Sequence, residues 1–116
     1  MNFELSEEQI AVKEAARDFA QNVLKSGVIE RDNLQKFPAE EMKLLGELGF
    51  MGMMVDPKYG GSGMDTISYV LAIEEISKVD ASASVCMSVN NSLVAWGIEE
   101  FGTEAQKQHF LVPLAK

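Results

Sequence analysis

The chain has 116 residues, 47% apolar and 24% charged, with three prolines, which fits one globular domain and excludes disorder as the default. Ten basic residues against 18 acidic ones leave a net charge of -8, the wrong sign for nucleic-acid phosphates or an anionic membrane surface. A single cysteine and a single histidine exclude an internal disulfide framework and leave no zinc-ligand spacing.

The N-terminal residues Met1 to Leu5 lack a basic region followed by an apolar run, so they do not read as a secretory signal. No stretch approaches the ~20 apolar residues of a membrane span. A soluble, cytoplasmic chain is expected.

Ser6-Glu7-Glu8-Gln9 reads as a capping box, with the Ser6 hydroxyl and the Gln9 side chain each serving the other's backbone amide. Val12, Ala16, Phe19 and Val23 then recur at helical spacing, and Gly27 supplies a left-handed stop. A second helix is predicted from Pro38, as first-turn proline, to Gly49. Its apolar edge is Met42, Leu45 and Leu48, and Gly46 leaves room for a close helix approach.

Phe50 to Val55 is a short apolar run that reads as an extended piece, followed by the glycine-rich Tyr59-Gly60-Gly61-Ser62-Gly63. A phosphate-binding role is weighed for this loop, but no Gly-Lys-Ser/Thr closes it and Thr66 replaces the third glycine of a dinucleotide fingerprint. A tight turn needing positive φ is the preferred reading.

Asp65 caps a third helix to Val79, with Ile67, Val70, Leu71 and Ile73 as a wide apolar face. The adjacent Glu74 and Glu75 point apart, one into solvent and one toward a neighbouring element. Asp80 caps a fourth helix that runs to Phe101, and Thr103-Glu104-Ala105-Gln106 opens a fifth, which Pro113 distorts or ends. About five packed helices, with the glycine-rich loop between the second and third, define an all-α domain. The last residues, Pro113 to Lys116, carry no glycine stop or polar tail and read as a domain edge.

The fourth helix is unusual because Ala81 to Trp96 contains no charge. A helix without a charged face is enclosed on most sides, and so short a chain has few elements to enclose it. Val85, Cys86, Val89, Leu93 and Trp96 give it a smooth apolar face that is either plain core or the wall of an apolar ligand pocket. Cys86 reads as a small hydrophobe, since no basic partner lies near it in sequence. His109 reads as a surface residue, and Asn91 and Ser92 as packing or capping groups.

Several stretches together carry a resemblance. They are Leu5-Ser6-Glu7-Glu8-Gln9, Leu48-Gly49-Phe50-Met51-Gly52, Pro57-Lys58-Tyr59-Gly60-Gly61-Ser62-Gly63 and Ala72-Ile73-Glu74-Glu75-Ile76-Ser77. Ser88-Val89-Asn90-Asn91-Ser92-Leu93 and Phe101-Gly102-Thr103-Glu104-Ala105-Gln106-Lys107 continue the series. In this order and spacing the chain resembles the N-terminal helical domain of the acyl-CoA dehydrogenase family, and within it the short-chain, butyryl-CoA type.

The resemblance implies a three-domain FAD enzyme that oxidises the Cα–Cβ bond of an acyl-CoA substrate and passes electrons to electron-transfer flavoprotein. It implies a homotetramer whose catalytic glutamate and most flavin contacts lie outside this domain, so residues 1–116 alone are expected to be inactive and to retain no FAD. No catalytic, cofactor-binding or metal residue is assigned here. The positions matching the acyl-tail wall are Val85, Cys86, Val89 and Leu93, and Trp96 stands where the family has a smaller residue. Alternatives are a related acyl-CoA oxidase or flavin monooxygenase domain, or a non-catalytic helical module binding an apolar partner.

Overall fold

The computed structural model describes residues 1–116. They form six helices and no strand. Helix α1 is α-helical over Glu7–Phe19 and continues as a wider, π-type turn over Ala20–Leu24. Next come α2 (Val28–Asn33), α3 (Ala39–Glu47) and α4 (Thr66–Ser77). Helix α5 is continuous through Ala81–Ser88, a widened Val89–Ala95 and Trp96–Phe101. Helix α6 likewise runs through Glu104–Gln106, a widened Lys107–Leu111 and Val112–Leu114.

Local signals account for most helix starts. Both capping boxes form: Gln9 N donates to Ser6 Oγ at 3.1 Å, and Gln106 N donates to Thr103 Oγ1 at 3.2 Å. Asp65 and Asp80 accept from the amides of Ser68 and Ala83, at 2.7 and 3.0 Å. Pro38 is the residue before α3 rather than its first helical residue, with ψ 60°. Gly49 closes α3 at φ +83°. Pro113 lies in the last helical turn, just after the widened segment of α6. An i→i−4 bond is impossible for a residue without an amide hydrogen, and a wider turn accommodates that loss.

Further expectations about the first half are corrected. Gly27 is not left-handed (φ -113°); it precedes the short α2, which the apolar periodicity did not reveal. Its lack of a side chain matters for another reason, because a Cβ there would stand 2.5 Å from the Arg31 guanidinium. The segment after Gly49 is not extended either. Residues 51–55 form a series of bends, followed by one 3₁₀ turn at Pro57–Tyr59.

The helices lie in a slab of 41 × 41 × 19 Å, so its thin dimension is about two helix diameters. Helix α1 packs along α4, α4 along α5, and α3 against the start of α5. Small residues, Ala16, Ala20, Ala72 and Ala83, allow the close approach, and Leu24, Leu45, Met53, Ile76 and Met87 fill the main core. A smaller cluster of Val55, Tyr59, Ala95, Leu111 and Ala115 joins the far end of α5 to α6. Gly46 and Gly52 admit the chain's own last residues, since Cβ atoms there would lie 2.7 Å from the Lys116 carbonyl and 2.6 Å from that of Ala115. The close approach at Gly46 is therefore by backbone, not by a helix.

Only 27 of 116 residues are buried, and large apolar side chains remain exposed on several helices. On α4 the face differs from that expected: Tyr69, Ala72 and Ile76 point inward with Ser68, whereas Ile67 and Val70 are exposed. Wedged between α1 and α5, α4 turns Tyr69, Ile76 and the small Ser68 and Ala72 inward, with the ion-paired Glu75 beside them. Leu48 at the end of α3 is exposed as well.

Candidate functional site

The inward line of α5 is Ser84, Met87, Asn91 and Ala95, at helical steps of three and four. Opposite it Val85, Val89 and Leu93 stand 59%, 42% and 65% exposed, followed by Trp96 at 53%. Three of the four residues expected on the apolar wall are thus together on one open side. Cys86 is not with them. It is half-buried, packs on the main core and lines a separate cleft of about 580 Å³ between α2 and the start of α5. One helical position separates Cys86 from Val85, which turns it by about 100° around the axis. Trp96 meets Phe101 edge-to-face with centroids 5.7 Å apart, so the apolar strip continues around the end of the helix.

Two adjacent asparagines hold this helix to the irregular segment below it. Asn91 is buried; its Nδ2 donates to Phe50 O (2.8 Å) and Met87 O (2.9 Å), while its Oδ1 accepts from Met53 N (2.7 Å). Asn90 Nδ2 donates to Met51 O at 2.7 Å and Leu114 O at 2.9 Å. Buried backbone groups need partners. Here side-chain amides replace the ladder that a strand would have provided. The sequence reading of Asn91 as a packing group holds, but its partners could not be named from local spacing.

The glycine-rich loop has its amides engaged. Gly60 N and Gly61 N donate to Pro57 O and Asp56 O, Ser62 N to Gly52 O, and Gly63 N to Val55 O, at 2.9 to 3.4 Å. Gly60 and Gly63 adopt φ +91° and +61°, and a Cβ on Gly61 would collide with the Val55 carbonyl. Turn geometry and a tight backbone crossing explain the glycines. No ring of free amides is left for a phosphate.

Neither neighbouring carboxylate on α4 is poised for proton transfer. Glu74 is exposed and pairs with Lys78 at 3.3 Å. Glu75 is buried and accepts from Arg17 Nε and NH2 at 3.2 and 3.1 Å and from Lys78 Nζ at 2.9 Å. These bonds, Arg17 first and Lys78 next, outweigh burial and hold the Glu75 carboxyl down from 4.5 to about 2. Because the folded value is the lower one, the stabilisation is complete above about pH 4.5 and is lost as pH falls toward 2. Glu75→Gln is expected to flatten the acid limb of stability in that window, measured as the urea midpoint against pH. An unchanged limb would show that the pair contributes nothing.

A second network was not legible in advance. Arg31 NH1 donates to Glu41 at 2.9 Å, and its NH2 donates to Asp80 at 2.9 Å and to Leu24 O at 2.8 Å. It ties α1, α2, α3 and the cap of α5 together. Another apolar cleft, about 560 Å³, lies between α1 and residues 48–64 and is lined by Val12, Phe19, Phe50 and Met64. His109 is exposed on α6 and touches Phe110 edge-on.

The acyl-CoA dehydrogenase N-terminal domain family matches residues 6–116, nearly the entire chain. The chain belongs to the acyl-CoA dehydrogenase family. It is 46% identical over 116 residues to a short-chain-specific acyl-CoA dehydrogenase of Clostridium acetobutylicum, covering all of this chain and 31% of that protein. Its fold superposes on butyryl-CoA dehydrogenase from Megasphaera elsdenii with a TM-score of 0.91 at 42% identity, covering 99% of this chain and 31% of the other. A glutaryl-CoA dehydrogenase from Mycobacterium smegmatis in complex with FADH2 gives a TM-score of 0.91 at 32% identity, over 96% and 28% of the two chains. The chain therefore spans about a third of the length of the acyl-CoA dehydrogenases that it matches. No helix of this chain is long and apolar enough to cross a membrane.

Proposed function

We propose that residues 1–116 are the first of three domains of a cytoplasmic, FAD-dependent, short-chain acyl-CoA dehydrogenase that works as a homotetramer. Such an enzyme removes a proton from Cα and a hydride from Cβ of an acyl-CoA thioester, and its electrons go on to electron-transfer flavoprotein. Bound FAD supplies the hydride acceptor. No residue of this chain is proposed as a flavin ligand, because the loop amides that could cradle a pyrophosphate are already bonded to its own carbonyls. As the resemblance implies, the base is assigned to residues outside this segment; Glu75, committed to Arg17 and Lys78, is not proposed for it.

The part proposed for this domain is one wall of the acyl-tail pocket, made by Val85, Val89 and Leu93; Cys86, turned toward α2, is left out of it. The observation that carries this reading is the uncharged Ala81 to Trp96 stretch of α5 with those three side chains exposed in one line. An aliphatic tail stabilises its complex by about 0.8 kcal/mol for each methylene that leaves water for such a surface. Polar atoms along the wall would offset that gain, and the line has none.

Trp96, one turn beyond Leu93, is proposed to close the far end and favour short tails. Trp96→Gly in the full-length enzyme is expected to shift kcat/KM toward hexanoyl-CoA over butyryl-CoA by up to about tenfold, the scale of two methylenes. Unchanged chain-length preference would defeat this role for Trp96.

A further inference from the structure

The widened stretch of α5, Val89–Ala95, contains both Val89 and Leu93. Its first turn contains two side-chain donors that occupy helical carbonyls. Asn91 Nδ2 bonds Met87 O at 2.9 Å, and Ser92 Oγ bonds Ser88 O at 2.8 Å. In an unbroken α-helix those two carbonyls accept the amides of residues 91 and 92. Side chains that take over such carbonyls loosen the i→i−4 ladder and let the amides reach one residue farther back. Asn91 cannot swing away, since the same Nδ2 also donates to Phe50 O and its Oδ1 accepts from Met53 N. Ser88 is held from outside too, because Tyr69 donates its hydroxyl proton to Ser88 Oγ at 3.0 Å.

The widening changes where side chains point. Each four-residue step in an α-helix advances about 40° around the axis, so positions 85, 89 and 93 would drift by about 80°. A turn with more residues takes up part of that drift and keeps the three nearer one line. All three are exposed here, while Ala95 stays buried.

We propose that Ser92 is a positioning residue for the acyl-tail wall: its bond to the Ser88 carbonyl holds α5 in the widened form that aligns Leu93 with Val89. The inference rests on the pocket-wall reading above and adds a specificity determinant that need not touch the substrate. π-type insertions recur at functional sites because they re-aim side chains without breaking the helix.

The test uses the full-length enzyme with three variants, Ser92→Ala, Ser92→Thr and Leu93→Ala, assayed on butyryl-CoA and hexanoyl-CoA alongside thermal midpoints. Ser92→Ala is expected to change the ratio of the two kcat/KM values by about threefold or more, and Ser92→Thr, which keeps the hydroxyl, to restore it to within about twofold. A purely structural serine would lower the midpoint and leave the ratio alone, which overturns the proposal. So would a shifted ratio that threonine fails to restore. If Leu93→Ala moves the ratio and Ser92→Ala does not, the positioning role alone is lost. If neither moves it, the pocket-wall reading itself falls.

Discussion

Asn91→Ala is expected to destabilise the protein by about 3 kcal/mol, because it strips partners from two buried backbone groups at once. The side chain accepts from Met53 N and donates to Phe50 O, both in a segment with no strand or helix to supply replacements. Each such group left unpaired costs about 1–3 kcal/mol, and the small cavity adds to it. Asn91→Asp should be no better. It keeps an acceptor for Met53 N but sets a carboxylate against the Phe50 and Met87 carbonyls that the amide now serves. Urea denaturation followed by circular dichroism measures both. A loss below about 1 kcal/mol for Asn91→Ala would mean that water enters and replaces the amide.

Arg31→Met should cost about as much, on the order of 3 kcal/mol, by a different route. Arg31 and Asp80 side chains are only 11% and 6% exposed, and the guanidinium is also the partner of Glu41 and of the Leu24 carbonyl. Methionine keeps much of the apolar stem but leaves the Asp80 carboxylate buried with the Ala83 amide as its remaining partner. The uncompensated charge, more than the lost attraction, is what destabilises. Arg31→Lys is expected to recover only a minor part, since one ammonium cannot span Glu41, Asp80 and a carbonyl in a planar fork. Full stability in Arg31→Lys would show that simple charge balance is sufficient. Helix α2 has no buried residue of its own, so loss of this anchor should also raise amide exchange over Val28–Asn33.

The unequal legibility of the helices has a physical cause. Helix α2 escaped notice because Val28 and Ile29 lie outside the core and its hold is Arg31, whose acidic partners come from α3 and the cap of α5. The run Phe50 to Val55 looked extended because it is apolar and short; its backbone is instead braced by Asn90 and Asn91, about 40 positions further along. On α4, apolar periodicity offered Ile67 and Val70 as an inward face, yet Tyr69 and Ile76 fill the space between neighbours. Of the proposed wall, Val85, Val89 and Leu93 were recognisable from the uncharged stretch that carries them, whereas the turning of Cys86 toward α2 was not.

What the amino-acid order determined by itself is whatever is satisfied within about four residues, namely the two capping boxes, the aspartate caps of α4 and α5 and the stop at Gly49, together with the lack of charge from Ala81 to Trp96. Tertiary structure decided which face of α4 is buried, how residues 50–55 pair their backbone, and which salt bridge anchors α2. Those outcomes depend on donors and acceptors that meet only after the helices pack, when unpaired buried groups become costly enough to select one arrangement.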